Sequence, residues 1–122
     1  MSKTILTIDD SASIRQLISL TLGGAGYNVI EAEDGAEGFE KAKSNSVNAV
    51  ITDLNMPVMN GIEFIRKFRG DPSSTGVPVL FLTTESSDDV KREAKEAGAT
   101  GWITKPFNQE QLLAVIKKVV GA

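Results

Sequence analysis

The chain has 122 residues, and 13 Lys and Arg against 16 Asp and Glu leave a net charge of −3. That length suits one domain, so no appended output domain is expected, and a weakly acidic surface is a poor match for nucleic acid or an anionic membrane. The sequence contains neither Cys nor His, which excludes disulfides, thiolate nucleophiles, Cys- or His-ligated metals, Ser-His-Asp chemistry and a phosphohistidine of its own.

A 41% hydrophobic and 24% charged composition is that of a globular chain. No apolar run approaches the roughly 18 residues of a membrane span. The stretch before Asp9 is too short for a signal h-region, so the cytoplasm is the expected compartment.

Five short apolar runs alternate with five longer amphipathic ones. Thr4–Ile8 reads as the first strand. Ile14, Leu17, Ile18 and Leu22 then fall on one helical stripe, closed by Gly23, Gly24 and Gly26. Tyr27–Ala32 is the second strand. Asp34 and Glu37 have the spacing of a capping box, and the helix runs on through Phe39, Ala42 and Lys43 to Asn45 and Ser46.

Val47–Thr52 is the third strand, followed by Asp53 and a loop reaching Gly61. Ile62, Ile65 and Phe68 mark the third helix, and the polar stretch from Gly70 to Gly76 a surface loop. Val77–Leu82 is apolar almost throughout, as in a strand covered on both faces. A polar fourth helix is predicted from Asp88 to Ala97, with Gly98 behind it. Gly101–Thr104 is the fifth strand, and Lys105-Pro106-Phe107 turns the chain. Asn108 and Gln111 can cap a last helix carrying Leu112, Leu113, Val115, Ile116, Val119 and Val120. Strict alternation predicts an α/β fold, (βα)5, with a parallel sheet between two helical layers.

In such sheets the functional crevice lies beyond the carboxyl ends of the strands. Asp9 and Asp10 follow the first strand, Asp53 the third, Thr83 the fourth and Lys105 the fifth. Each alone has an ordinary structural explanation as a helix cap, a turn residue, a β-former or a strand-to-helix turn. Together they form an unusual set. Three carboxylates in one pocket require a proton or a bound cation. Oxygen ligands without His or Cys suit a hard ion, Mg2+ above all. Lys105 can pair with a carboxylate or a phosphoryl group, and Thr83 can donate to a phosphoryl oxygen. Asp53, lying between the metal side and the Lys/Thr side, is the candidate nucleophile toward phosphorus.

At these residues the chain resembles the response-regulator receiver domains. The likeness spans its whole length and rests on Asp9-Asp10, on Asp53-Leu54-Asn55-Met56-Pro57 with Asn60-Gly61, on Thr83, and on Lys105-Pro106-Phe107. It implies a flavodoxin-like sheet of order 2-1-3-4-5 and a cis bond before Pro106. It also implies that Asp53 is the phosphoacceptor, with Mg2+ held by Asp10, Asp53 and the Asn55 carbonyl and by Asp9 through water. Thr83 is then the switch hydroxyl and Lys105 the cation that pairs with the phosphoryl group.

The donor would be a separate histidine kinase of the CheA type, and the chain would catalyse its own phosphorylation and dephosphorylation. Asn55 and Glu85 match the family's single-domain chemotaxis regulators. These bind a flagellar motor switch protein through the fourth helix, fifth strand and fifth helix, here Lys91, Lys95, Trp102, Lys117 and Lys118, and some are served by a phosphatase.

Two positions depart from the usual family pattern. Thr84 replaces Ala or Gly, and would either narrow access to Asp53 or turn to solvent. Trp102 replaces Tyr or Phe, and is either too large for the inward switch or packed on the surface between the last two helices.

Three other readings compete. One is a phosphate sink or phosphorelay shuttle without motor output. A second is a Mg2+-dependent phosphatase with an Asp nucleophile, disfavoured because Asn55 stands where an acid/base carboxylate is needed. A third is a flavin protein, disfavoured because Asp9-Asp10 would repel the flavin phosphate.

Overall fold

A computed structural model describes residues 3–56, 58–84 and 87–120. Pro57 and Glu85, which contribute to the resemblance, lie outside the described residues. The elements run β1 (Thr4–Ile8), α1 (Ala12–Gly24), β2 (Asn28–Ala32), α2 (Gly35–Ser44), β3 (Ala49–Thr52), α3 (Gly61–Arg69), β4 (Val79–Thr83), α4 (Asp88–Ala97), β5 (Gly101–Thr104) and α5 (Gln109–Val120). The sheet has the order β2-β1-β3-β4-β5, and every pairing is parallel. The α/β, flavodoxin-like architecture is therefore the one expected.

Successive side chains of a strand point to opposite faces, and the two faces bury separate cores. Leu6, Ile8, Val50, Val79 and Phe81 pack with Phe39, Phe64, Ile65, Phe68 and Ala94 under α2, α3 and α4. Ile5, Ala49, Ile51, Leu80, Leu82 and Ile103 pack with Ile18, Leu22, Leu112 and Ile116 under α1 and α5. Strands covered on both sides have no polar alternation to show. Hence β3 and β4 are buried at every residue.

Side-chain caps start the helices. Ser11 accepts from Ile14 N at 3.3 Å, Ser87 from Val90 N at 3.3 Å and Asn108 from Gln111 N at 2.6 Å. Asn60 and Glu63 form a full capping box. Asp34 accepts from Glu37 N, but the Glu37 carboxylate accepts from Glu33 N, one residue upstream of the usual donor. Gly98 ends α4 at φ 115°, in the left-handed region.

Three strands start later than the apolar runs suggest. Tyr27 N–H returns to Leu22 O and belongs to the end of α1. Asn48 N–H bonds Thr4 O and its side chain accepts from Thr4 N. Val77 N–H bonds Ser74 O, closing the loop that carries a 3-10 turn at Pro72–Ser74. Pro78 has no N–H to offer a ladder, so β4 begins at Val79. At its other end β4 extends through Thr83. No helix among the described residues is long and apolar enough to cross a membrane.

Candidate functional site

Chain order reverses between β1 and β3, the place where such a sheet opens a crevice. Ile8 pairs with Thr52 in the ladder, and Asp53 N–H bonds Ile8 O at 2.9 Å. The residues that follow, Asp9 and Asp10 on one side and Asp53 on the other, are thereby set together. Carboxylate oxygens of Asp9, Asp10 and Asp53 all lie within 4.8 Å of one another.

The three carboxylates sit in different surroundings. Asp9 is buried at 2% exposure. Its Oδ1 accepts from Ser11 N at 2.9 Å, its Oδ2 accepts from Lys105 Nζ at 3.0 Å, and its N–H bonds Ala32 O. Asp10 is exposed and Asp53 half-buried. Asp53 Oδ1 accepts from Leu54 N at 2.7 Å, while Oδ2 faces Lys105 Nζ at 3.4 Å.

Lys105 thus spans Asp9 and Asp53 from the end of β5. It is placed there by its own N–H, which bonds Thr83 O at 2.9 Å, and is followed by a cis bond to Pro106 as expected. Thr83 is fully buried at the end of β4. Thr84 is exposed, turned to solvent. Asn55 is exposed in the loop after β3 and borders a cavity of about 270 Å³ shared with Arg66 and Glu93.

Burial, followed by the negative charge of Asp9, raises the Asp53 carboxyl above its ordinary 3.8, against the pull of Lys105 and of Leu54 N–H. Burial of the Lys105 ammonium works to lower its pKa. Its bond to Asp9 and the charges of Asp9 and Asp53 outweigh this and raise it above 10.5. One ammonium among three carboxylates leaves an excess of negative charge. The cluster is therefore fitted to receive a cation or the positive groups around a transferring phosphoryl.

Trp102 is half-buried, its ring 5.6 Å from that of Phe81, with Lys91 Nζ 5.8 Å from its centroid. Because Ile103 faces α5, Trp102 faces the α4 side of the sheet rather than lying between the last two helices. It lines a groove of about 240 Å³ with Lys91, Ala94 and Lys95. Lys117 and Lys118 are exposed on α5 and do not line this groove.

One residue outside the expected set reaches the site, held by a second. Arg15 of α1 donates to the Asp9 carbonyl and pairs with Glu31 of β2. Helical periodicity marks the apolar stripe of α1 but not what a long cation beside that stripe can reach.

Comparison with known proteins agrees with this architecture. The family described as response regulator receiver domain matches residues 5–117. Chemotaxis protein CheY1 of Helicobacter pylori is 38% identical over 119 residues, 96% of either chain. The CheY homolog of Campylobacter jejuni is 36% identical over 119 residues, covering 96% of this chain and 92% of its own. The solved structure of CheY4 from Vibrio cholerae superposes with a TM-score of 0.94 at 46% identity, over 98% of this chain and 99% of that one. Strand order, acidic crevice and kinship agree that the chain belongs to the response regulator receiver domains of two-component signalling.

Proposed function

We propose that the chain is a phosphorylation-controlled signalling module of the chemotaxis type. The observation that carries this reading is the convergence of Asp9, Asp10 and Asp53 within 4.8 Å, with Lys105 bridging Asp9 and Asp53. Asp53 is the phosphoacceptor. A carboxylate oxygen of Asp53 bonds to phosphorus, the P–N bond of a kinase phosphohistidine breaks, and the leaving imidazole takes up a proton. These 122 residues contain no His, so the phosphohistidine that donates lies outside them.

The donor set fits Mg2+, being oxygen only and closely grouped. Asp10, exposed, and Asp53 would hold the ion, with the Asn55 carbonyl as a third ligand and Asp9, already bonded to Lys105 and Ser11, acting through water. An ion held there would supply positive charge to the phosphoryl oxygens. Lys105, freed from part of its pairing with Asp53, takes a phosphoryl oxygen. The Thr83 hydroxyl takes another. With this geometry the chain also promotes its own dephosphorylation.

The output face is the groove at Lys91, Lys95 and Trp102, and Lys117, exposed on α5 outside that groove, is a further candidate contact. Cations beside an aromatic suit a downstream protein with an acidic, apolar segment. In a chemotaxis setting this partner is the flagellar motor switch protein.

The test adds Mg2+ and acetyl phosphate and follows intact mass and Trp102 fluorescence, with Asp53→Asn as control. A gain of one phosphoryl mass that the variant loses is the expected result. A coupled change in fluorescence ties the switch to Trp102. No gain from either this donor or a phosphorylated kinase domain overturns the reading.

A further inference from the structure

Every main-chain and carboxylate oxygen of Asp9 is engaged, and the partner of its carbonyl is the least expected. The last rungs of the two ladders at this edge are Asp53 N–H to Ile8 O and Asp9 N–H to Ala32 O, so the Asp9 carbonyl lies beyond the sheet's own bonding. The Arg15 guanidinium reaches it through one Nη. Arg15 Nε donates to Glu31 Oε1 at 3.2 Å, and Ser19 Oγ donates to Glu31 Oε2 at 2.9 Å. The side chains of Arg15 and Glu31 are 16% and 44% exposed. A relay from Ser19 through Glu31 and Arg15 therefore ends on the turn that presents Asp10.

We propose that Arg15, oriented by Glu31, is a positioning residue for divalent-metal binding. It locks the Asp9–Asp10 turn so that the Asp10 carboxylate meets the ion together with Asp53. This rests on the reading of the acidic cluster as a Mg2+ site. Groups that orient metal ligands typically contribute about 10- to 100-fold in affinity. A planar guanidinium can hold a carbonyl and a carboxylate at once, which a lysine ammonium on the same helix position does less well.

Charge and positioning predict opposite signs. Were Arg15 only a cation near the site, removing it would tighten Mg2+ binding, since like charges repel. Loss of a positioning contact loosens binding instead. Calorimetric titration of Mg2+ into the full chain compares the parent with Arg15→Met, Arg15→Lys, Glu31→Gln and Asp10→Asn, alongside metal-free thermal melts.

The expected result is affinity about 10-fold weaker in Arg15→Met, with smaller losses in Arg15→Lys and Glu31→Gln. The loss in the charge-conserving Arg15→Lys is one that a bystander cation would not produce. Parental or tighter binding in Arg15→Met overturns the proposal. Should that variant fail to fold, parental affinity in both Arg15→Lys and Glu31→Gln overturns it equally. Parental Mg2+ binding that Asp10→Asn abolishes and the Arg15 variants keep defeats this proposal alone. A parent that takes up no Mg2+ defeats the metal reading and the proposal with it.

Discussion

Asp53 carries the clearest electrostatic cost at the residue scale. Burial and the adjacent Asp9 keep its folded pKa above the 3.8 of an unfolded chain, so the folded state binds the proton more tightly. The stability linked to that proton is complete below 3.8 and is lost as pH rises through the folded value. At neutral pH the ionised Asp53 therefore destabilises the metal-free protein. Asp53→Asn is expected to raise stability, by a margin that grows from pH 4 to pH 7; urea denaturation of both proteins across that range checks it. Val58 is a second local cost. It is 81% exposed and sits at φ 69°, a conformation that β-branched side chains rarely adopt. Val58→Asn is expected to stabilise the fold by about 1 kcal/mol, read from the shift of the denaturation midpoint.

Elements were legible in the sequence where a repeating pattern produced them. The polar helix Asp88–Ala97 and its Gly98 cap are where the pattern put them, and so is Gly101–Thr104. The starts of β2, β3 and β4 were not, because hydropathy reports burial while a ladder needs free N–H groups: Val47 and Val77 are buried without joining the sheet. The site divides the same way. Residues at strand ends could be grouped from topology, whereas Arg15 acts across space from a helix flank.

The turn into α3 shows how tightly an element can be bound to the site. Gly61 opens that helix with its N–H on Leu54 O, and a Cβ there would collide with the Asp53 carbonyl and the Phe81 ring. Gly61→Ala is expected to cost about 1–3 kcal/mol through overpacking, and to weaken phosphorylation by displacing Asp53. Thermal melts and the rate of mass gain from acetyl phosphate measure the two effects separately.

At the scale of the whole molecule, two cores lie on opposite faces of one sheet, and the acidic crevice sits at the carboxyl ends of its inner strands β1 and β3. Mg2+ that binds the folded crevice and not the unfolded chain is expected to raise the melting temperature. The stabilisation should approach about 2.7 kcal/mol when free ion is about 100 times Kd, and Asp10→Asn should flatten the response. The crowding of Asp9, Asp10 and Asp53 then has a consequence beyond signalling. With Mg2+ bound there, the folded population would become a gauge of free divalent ion, and a melting curve recorded in chelator and one recorded in a magnesium buffer would describe two differently ballasted forms of the same chain.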